Sequence, residues 1–180
     1  IDDVFDIQAS GPTTPDPSPF ADAAGILKKY QIWHKIPRVV RQRLTAGIRG
    51  TVPETPKNNH ATFCHGKIHN VTIGNFHTAV KAAAGEAKKR GYHVLPLTSS
   101  LQGEAREAAK VLVSIGKEIK RYKIPLKSPA MIIAGGETTV ELRGTGQGGR
   151  NQELTLAALL RLQTGMTFAS LGTDGVDGFT

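Results

Sequence analysis

Hydrophobic and polar positions divide the chain into two stretches of different character. Up to about residue 60, Pro, Ser, Thr and Gly repeatedly interrupt any period; beyond it, apolar residues recur at regular spacing. The clearest element is Glu104–Lys120, where Ala108, Val111, Leu112, Ile115 and Ile119 form one stripe of an amphipathic helix. Thr78–Arg90 carries Val80, Ala83, Ala84 and Ala87 at i, i+3, i+4 and i+7, which predicts a second helix stopped by Gly91. Leu154–Leu162 is apolar nearly all round and predicts a buried helix. Strands are expected at Lys67–Ile73, Tyr92–Thr98, Ala130–Ala134, Thr138–Leu142 and Thr167–Leu171, with Pro96 arguing against full pairing of the second. Gly74-Asn75 is expected to turn the chain between the first strand and the helix after it.

The first stretch holds two breaker-rich connectors, SGPTTPDPSP at 10–19 and TVPETPKNN at 51–59, with short helices expected at Phe20–Tyr30 and Ile36–Leu44. Ser18-Pro19 suits the cap and first turn of the earlier helix. The alternation of strands and helices after Phe63 is the signature of an α/β fold. It predicts an α/β/α layered sandwich on a mostly parallel or mixed sheet, with helices brought close to it by their alanines. The expected division is residues 1–60, connectors and helices tied to a further N-terminal domain, and 61–180, an α/β domain. Beginning at Ile1 and stopping after a glycine-rich turn, the chain reads as a piece of something longer.

Composition narrows the partners. No apolar run approaches the roughly 18 residues of a membrane span. No signal-peptide pattern opens the chain. A single cysteine, Cys64, rules out an internal disulfide and is compatible with a reducing, cytoplasmic setting. The net charge of +8 favours anionic partners. Solvated helix ends account for part of it: Lys88-Lys89-Arg90 and Lys117, Lys120, Arg121 and Lys123 fall where the helix dipole favours cations. Aromatics are 6% of residues and none interleaves with these clusters, which argues against nucleic acid.

Two constellations could carry chemistry. Six glycines fall between Gly135 and Gly149, and Gly144, Gly146, Gly148 and Gly149 lead directly into Arg150 and Asn151. Backbone N–H groups at a helix start and an arginine fork make an anion cradle; a run of tight turns with an exposed arginine is the other reading. Gly144-x-Gly146-x-x-Gly149 matches dinucleotide spacing, without the acidic residue that should follow about 20 positions on. Asp174 and Asp177, in GTDGVDG, could hold Mg²⁺ beyond a strand end, or form Asp-Gly turns. Glu137 is a candidate base or metal ligand. His65 and His69 beside Cys64 suggest zinc, but four residues along a strand separate them by about 13 Å. Ser99-Ser100 and Cys64 lack partners for nucleophilic catalysis.

AGGETTVELRGTGQGGRNQELTLAAL, followed by SLGTDGVDG, resembles the glycerate 2-kinase family, whose C-terminal region is called MOFRL. IQASGPTTPDPSPFADA, ETPK, IGN and LTSSLQGEARE extend the resemblance over nearly the whole chain. It implies two α/β domains with a cleft between them, ATP and Mg²⁺ as cofactors, and transfer of the γ-phosphoryl group to D-glycerate to give 2-phosphoglycerate. It makes Arg150 an important residue and places Glu137, Asn151, Asp174 and Asp177 at the cleft. A homodimer is compatible with it. The N-terminal lysine and the serine- and glycine-rich loop of that family have no counterpart here, so the 180 residues by themselves are expected to be inactive. Asn75-Phe76 stand where Ser-Asn is usual and are given no role. Two other readings remain open: an NAD(P)H-dependent hydroxypyruvate reductase, from the GxGxxG spacing and an older family label, and a basic nucleic-acid-binding module.

Overall fold

The computed structural model describes residues 11–64, 66 and 68–178. Contacts divide it into two compact units that meet in sequence at Thr72/Ile73, where the sequence pattern suggests residue 60. In the first unit, α1 (Phe20–Lys29), α2 (Arg38–Ile48) and the single turn α3 (Ala61–Cys64) are the regular elements. Pro19 occupies the N-cap of α1 without a side-chain bond. Ser18, expected to cap that helix, instead donates its N–H and hydroxyl to Asp16 Oδ1, at 2.9 and 2.6 Å. The orphan N–H of Phe20 is taken by Glu54 from the other connector, at 3.0 Å.

The two connectors are tied to each other. Asp16 N–H donates to the Pro56 carbonyl and Thr55 Oγ1 to Asp16 Oδ2. These donors, Ser18 first, lower the Asp16 pKa to about 2. Breaker-rich sequence is therefore ordered here by a carboxylate that gathers hydroxyl and amide donors. Gly47 lies face to face with the Phe20 ring; a Cβ there would overlap it, so α1 and α2 close up through a glycine.

The second unit runs α4 (Phe76–Lys89), β1 (His93–Leu101), α5 (Ala105–Tyr122), β2 (Ala130–Gly136) and α6 (Arg150–Leu159). Asn75 caps α4 by accepting the Thr78 N–H at 2.8 Å, and Gly91 stops it at φ +85°. The sheet of the described residues is a parallel pair, with His93 opposite Ala130 and Pro96 opposite Ile133. The register shifts between Pro96 and Thr98, just past the proline. The mixed α/β class with a parallel sheet is as expected.

Three expected strands are not formed. Residues 68–73 and 167–171 have no ladder, and Lys67 and His65 lie outside the described residues. Thr138–Leu142 makes a single parallel bridge, Glu104 to Thr139. A strand-like apolar pattern is not sufficient for a strand, since each segment also needs a neighbour to bond with.

Packing is set by small side chains. Val80, Ala84 and Ala87 are buried on α4, which lies on the sheet, and Gly135 of β2 sits where a Cβ would come 2.8 Å from Val80 Cγ2. The buried stripe of α5 is Ala105, Ala109, Val113 and Ile119, rotated from the expected one, and Val111 is 59% exposed. The stripe with the smallest residues wins because it lets α5 approach Leu154, Ala157 and Ala158 of α6. α6 is not buried all round: Leu156, Leu159 and Leu160 are exposed on its far side. Filling this seam should be costly. Ala109→Leu, at a site with no exposed surface, is expected to lower stability by about 1–3 kcal/mol, read by chemical denaturation; an unchanged midpoint would mean that the two helices are not in tight contact.

Candidate functional site

The glycine-rich segment leaves β2 at its carboxyl end, where α/β folds place their ligands. Gly136 has φ +146°, and a Cβ there would run into the Leu101 backbone. The N–H of Glu137 then bonds the Leu101 carbonyl at 2.9 Å. This fixes the Glu137 side chain at the sheet's edge, where its Oε1 accepts a hydrogen bond from Arg150 Nη1. Arg150 is the first residue of α6 and remains half exposed, at 51%. The two candidates furthest apart in function, base and anion binder, are thus one ion pair.

At the start of α6 the anion is the chain's own. Asp177 Oδ1 accepts the Asn151 backbone N–H at 2.9 Å and its side-chain amide at 3.1 Å. Asp177 Oδ2 accepts the Gln152 N–H at 2.7 Å. Burial pushes the Asp177 carboxyl up, but these donors from Asn151 and Gln152, with the Arg150 charge, outweigh it and hold the pKa below the usual carboxylate range. The other end of the Asn151 amide accepts from Ser170 Oγ at 2.5 Å. Asn151 is therefore clamped at both ends, and the amide is oriented by its partners.

The glycines separate into two groups. Gly149 faces Asp177 so closely that a Cβ would collide with its carboxylate and backbone, and a Cβ on Gly178 would come 2.7 Å from the Gly148 carbonyl. Gly148 and Gly178 also have positive φ, +139° and +70°. Gly149 and Gly178 therefore let two loops lie backbone against backbone, while Gly148 supplies the positive φ between them. A Cβ on Gly144 or Gly146 would point into open space, with no other atom within 4 Å, and neither residue has a positive φ. Contacts within the chain explain the first group and leave the second open to a ligand.

Asp174 is exposed, and its Oδ1 accepts only the local Val176 N–H at 3.2 Å. Among the described residues no cluster of three or more His, Cys, Asp or Glu could hold a metal. The GxGxxG spacing lacks its structural context: β2 ends at Gly136, and α6 begins only at Arg150, so no tight strand-to-helix turn is made. Residues that the sequence pattern does not single out support the site. Arg106 of α5 pairs with Glu104 at 3.3 Å and with Glu153 of α6 at 3.1 Å, tying the two helix starts together. Ser170 and Gly178 are legible in the sequence only as a strand residue and a turn. An open groove runs from Asn151 along α6, walled by Thr155, Leu156, Leu171 and Val176.

Comparison with known proteins agrees with the motifs. Residues 130–180 match the MOFRL family, and residues 1–45 match a domain of unknown function, DUF4147. The chain is 41% identical to D-glycerate 2-kinase of Thermotoga maritima and 37% identical to glycerate 2-kinase of Pyrococcus horikoshii, in each case over all of this chain and 40% of the relative. A crystal structure of glycerate kinase from Thermotoga maritima superposes with a TM-score of 0.66 at 40% identity, covering 99% of this chain and 40% of that one. The chain thus spans about two fifths of the length of these relatives.

The Asp177 cap can be tested through its charge. Asp177→Asn is expected to cost about 1 kcal/mol, the scale of a helix cap. A depressed folded-state pKa means that this stabilisation is present above the unfolded value of about 3.9 and is lost as pH falls through the folded value. The wild-type and variant denaturation midpoints should therefore differ at pH 7 and converge below pH ~4; a constant gap at all pH values would show that the carboxylate charge is not what holds the helix. The glycerate 2-kinase resemblance read from the motifs is borne out by the identity to these relatives along the whole chain and by the match of residues 130–180 to the MOFRL family.

Proposed function

We propose that the whole protein transfers the γ-phosphoryl group of ATP to D-glycerate, giving 2-phosphoglycerate. The observation that carries this reading is the similarity of the entire chain to two glycerate 2-kinases at 37% and 41% identity. The site supports it. Phosphoryl transfer asks for positioned donors and cations more than for covalent chemistry. Arg150 offers a guanidinium fork that can accept a phosphate or carboxylate while Glu137 steadies it from one side. Gly144 and Gly146 leave room beside it for an anion to approach the backbone.

Asp177 acts as a scaffold in this reading, since both of its oxygens already accept N–H groups. Asp174 is the carboxylate open to Mg²⁺, which commonly takes one or two carboxylates and completes its shell with water and phosphate oxygens. When bound, the ion would neutralise phosphate charge. Asn151, held between Ser170 and Asp177, keeps the loop in register with Arg150. The hydroxypyruvate reductase reading is weaker, because its glycine fingerprint does not sit on a strand-to-helix turn.

Arg150→Lys keeps the charge and loses the fork. In the whole protein, glycerate-dependent ATP turnover is expected to fall roughly 10²-fold, the scale of losing one transition-state charge stabiliser. A coupled kinase assay measures it, beside an NAD(P)H absorbance assay with hydroxypyruvate. Turnover within about twofold of wild type would remove Arg150 from the site, and hydride transfer without phosphorylation would replace the kinase reading.

A further inference from the structure

One stretch of the first unit is basic without interruption. Between Asp22 and Glu54 there are seven Lys and Arg residues and no Asp or Glu. Glu54 is itself engaged by the Phe20 N–H and, at 3.7 Å, by Lys57. Arg38, Arg41 and Arg49 line one open groove along α2 with Trp33, Gln42 and Thr45. None of the ion pairs among the described residues includes these three arginines.

The positions of Arg38 and Arg41 do not serve the helix. Arg38 and Arg41 lie in the first turn of α2, which has no acidic residue there and no basic residue in its last turn. The partial positive charge of a helix N-terminus repels cations. α1, α4 and α5 follow the opposite and favourable rule, with Lys28-Lys29, Lys88-Lys89 and Lys120-Arg121 in their last turns. Arg38 and Arg41 thus repel each other and the helix dipole, and no carboxylate of the neighbouring sequence relieves them; Arg49, the C-cap, lies at the end that favours a cation. An anion in the groove would relieve both repulsions at once.

We infer that this groove of the first unit binds a small ligand carrying several adjacent phosphates. Guanidinium forks match phosphate oxygens two at a time, and three forks suit a polyphosphate better than a single phosphate. The groove measures about 440 Å³, within the ~300–1,000 Å³ of small-ligand sites. It offers one tryptophan, whereas single-stranded nucleic acid is held on a series of aromatics that stack successive bases.

Trp33 lies in this groove and is the single tryptophan of these 180 residues, so the fluorescence that the whole protein loses on Trp33→Phe reports on the groove. Inorganic tripolyphosphate titrated into the whole protein is expected to change that fluorescence saturably, and orthophosphate to do so at least 10-fold more weakly. The paired change Arg38→Gln with Arg49→Gln should weaken tripolyphosphate at least 10-fold, while Lys88→Gln with Lys89→Gln, an equal loss of charge elsewhere, should leave it within twofold. Circular dichroism of each variant confirms that the helices persist; for a variant that does not fold, Arg→Lys at the same two positions is read instead, with weakening expected from loss of the forks. ATP titrated alongside assigns the source: tighter binding than tripolyphosphate means a nucleotide, equal binding means the phosphate chain alone. No fluorescence change with tripolyphosphate, equal loss in both glutamine pairs, or binding of DNA in preference to tripolyphosphate would overturn the proposal.

Discussion

The carboxylate of Asp177 at the start of α6 is the interaction on which the second unit's site depends. It takes the N–H groups of Asn151 and Gln152, fixes the Asn151 side chain, and brings the GTDGVDG loop against Gly148 and Gly149. A side chain at Gly149 would force the loops apart. Glycine identity and aspartate charge are therefore two halves of one constraint, close approach and the electrostatic reason for it.

That constraint changes the meaning of the glycine-rich loop. A helix N-terminus attracts anions, and here the protein supplies its own. The consequence is order: α6 starts at a defined residue, so Arg150 leaves the helix in a defined direction and meets Glu137 at the end of β2. Arg106 adds a second tie between the starts of α5 and α6 through Glu153. The alanine seam beneath them, Ala105 and Ala109 against Ala157 and Ala158, holds the two helices close. Packing, capping and the position of one guanidinium are thus a single chain of causes.

Local chemistry is legible in the sequence, and long-range pairing is not. The helices at 76–89 and 105–122 announce themselves by period and by their basic last turns. The strands at 93–101 and 130–136 can be found because each is a compact apolar run. Thr138–Leu142 and Thr167–Leu171 have the same local pattern but no ladder, because pairing depends on a partner that composition does not name. The buried stripe on α5 departs from the expected one because side-chain size, rather than hydrophobicity, decides which face can come nearest to α6. The GGRN and GTDGVDG motifs, both legible as motifs in the sequence, are brought together in the fold. Their division of labour, Asp177 inward and Asp174 outward, depends on a loop-to-loop contact that no spacing rule encodes.

If Asp177 holds the start of α6 and the proposed ligand lies against Gly144, Gly146 and Arg150, only those three residues should respond to it. Backbone amide NMR of the protein titrated with Mg²⁺-ATP tests it most directly. Concerted shifts are expected at Gly144, Gly146 and Arg150, with the amides of Asn151 and Gln152 staying bonded to Asp177 and nearly unmoved. Largest shifts at Asn151 and Gln152, with Asp177 displaced from them, would contradict it.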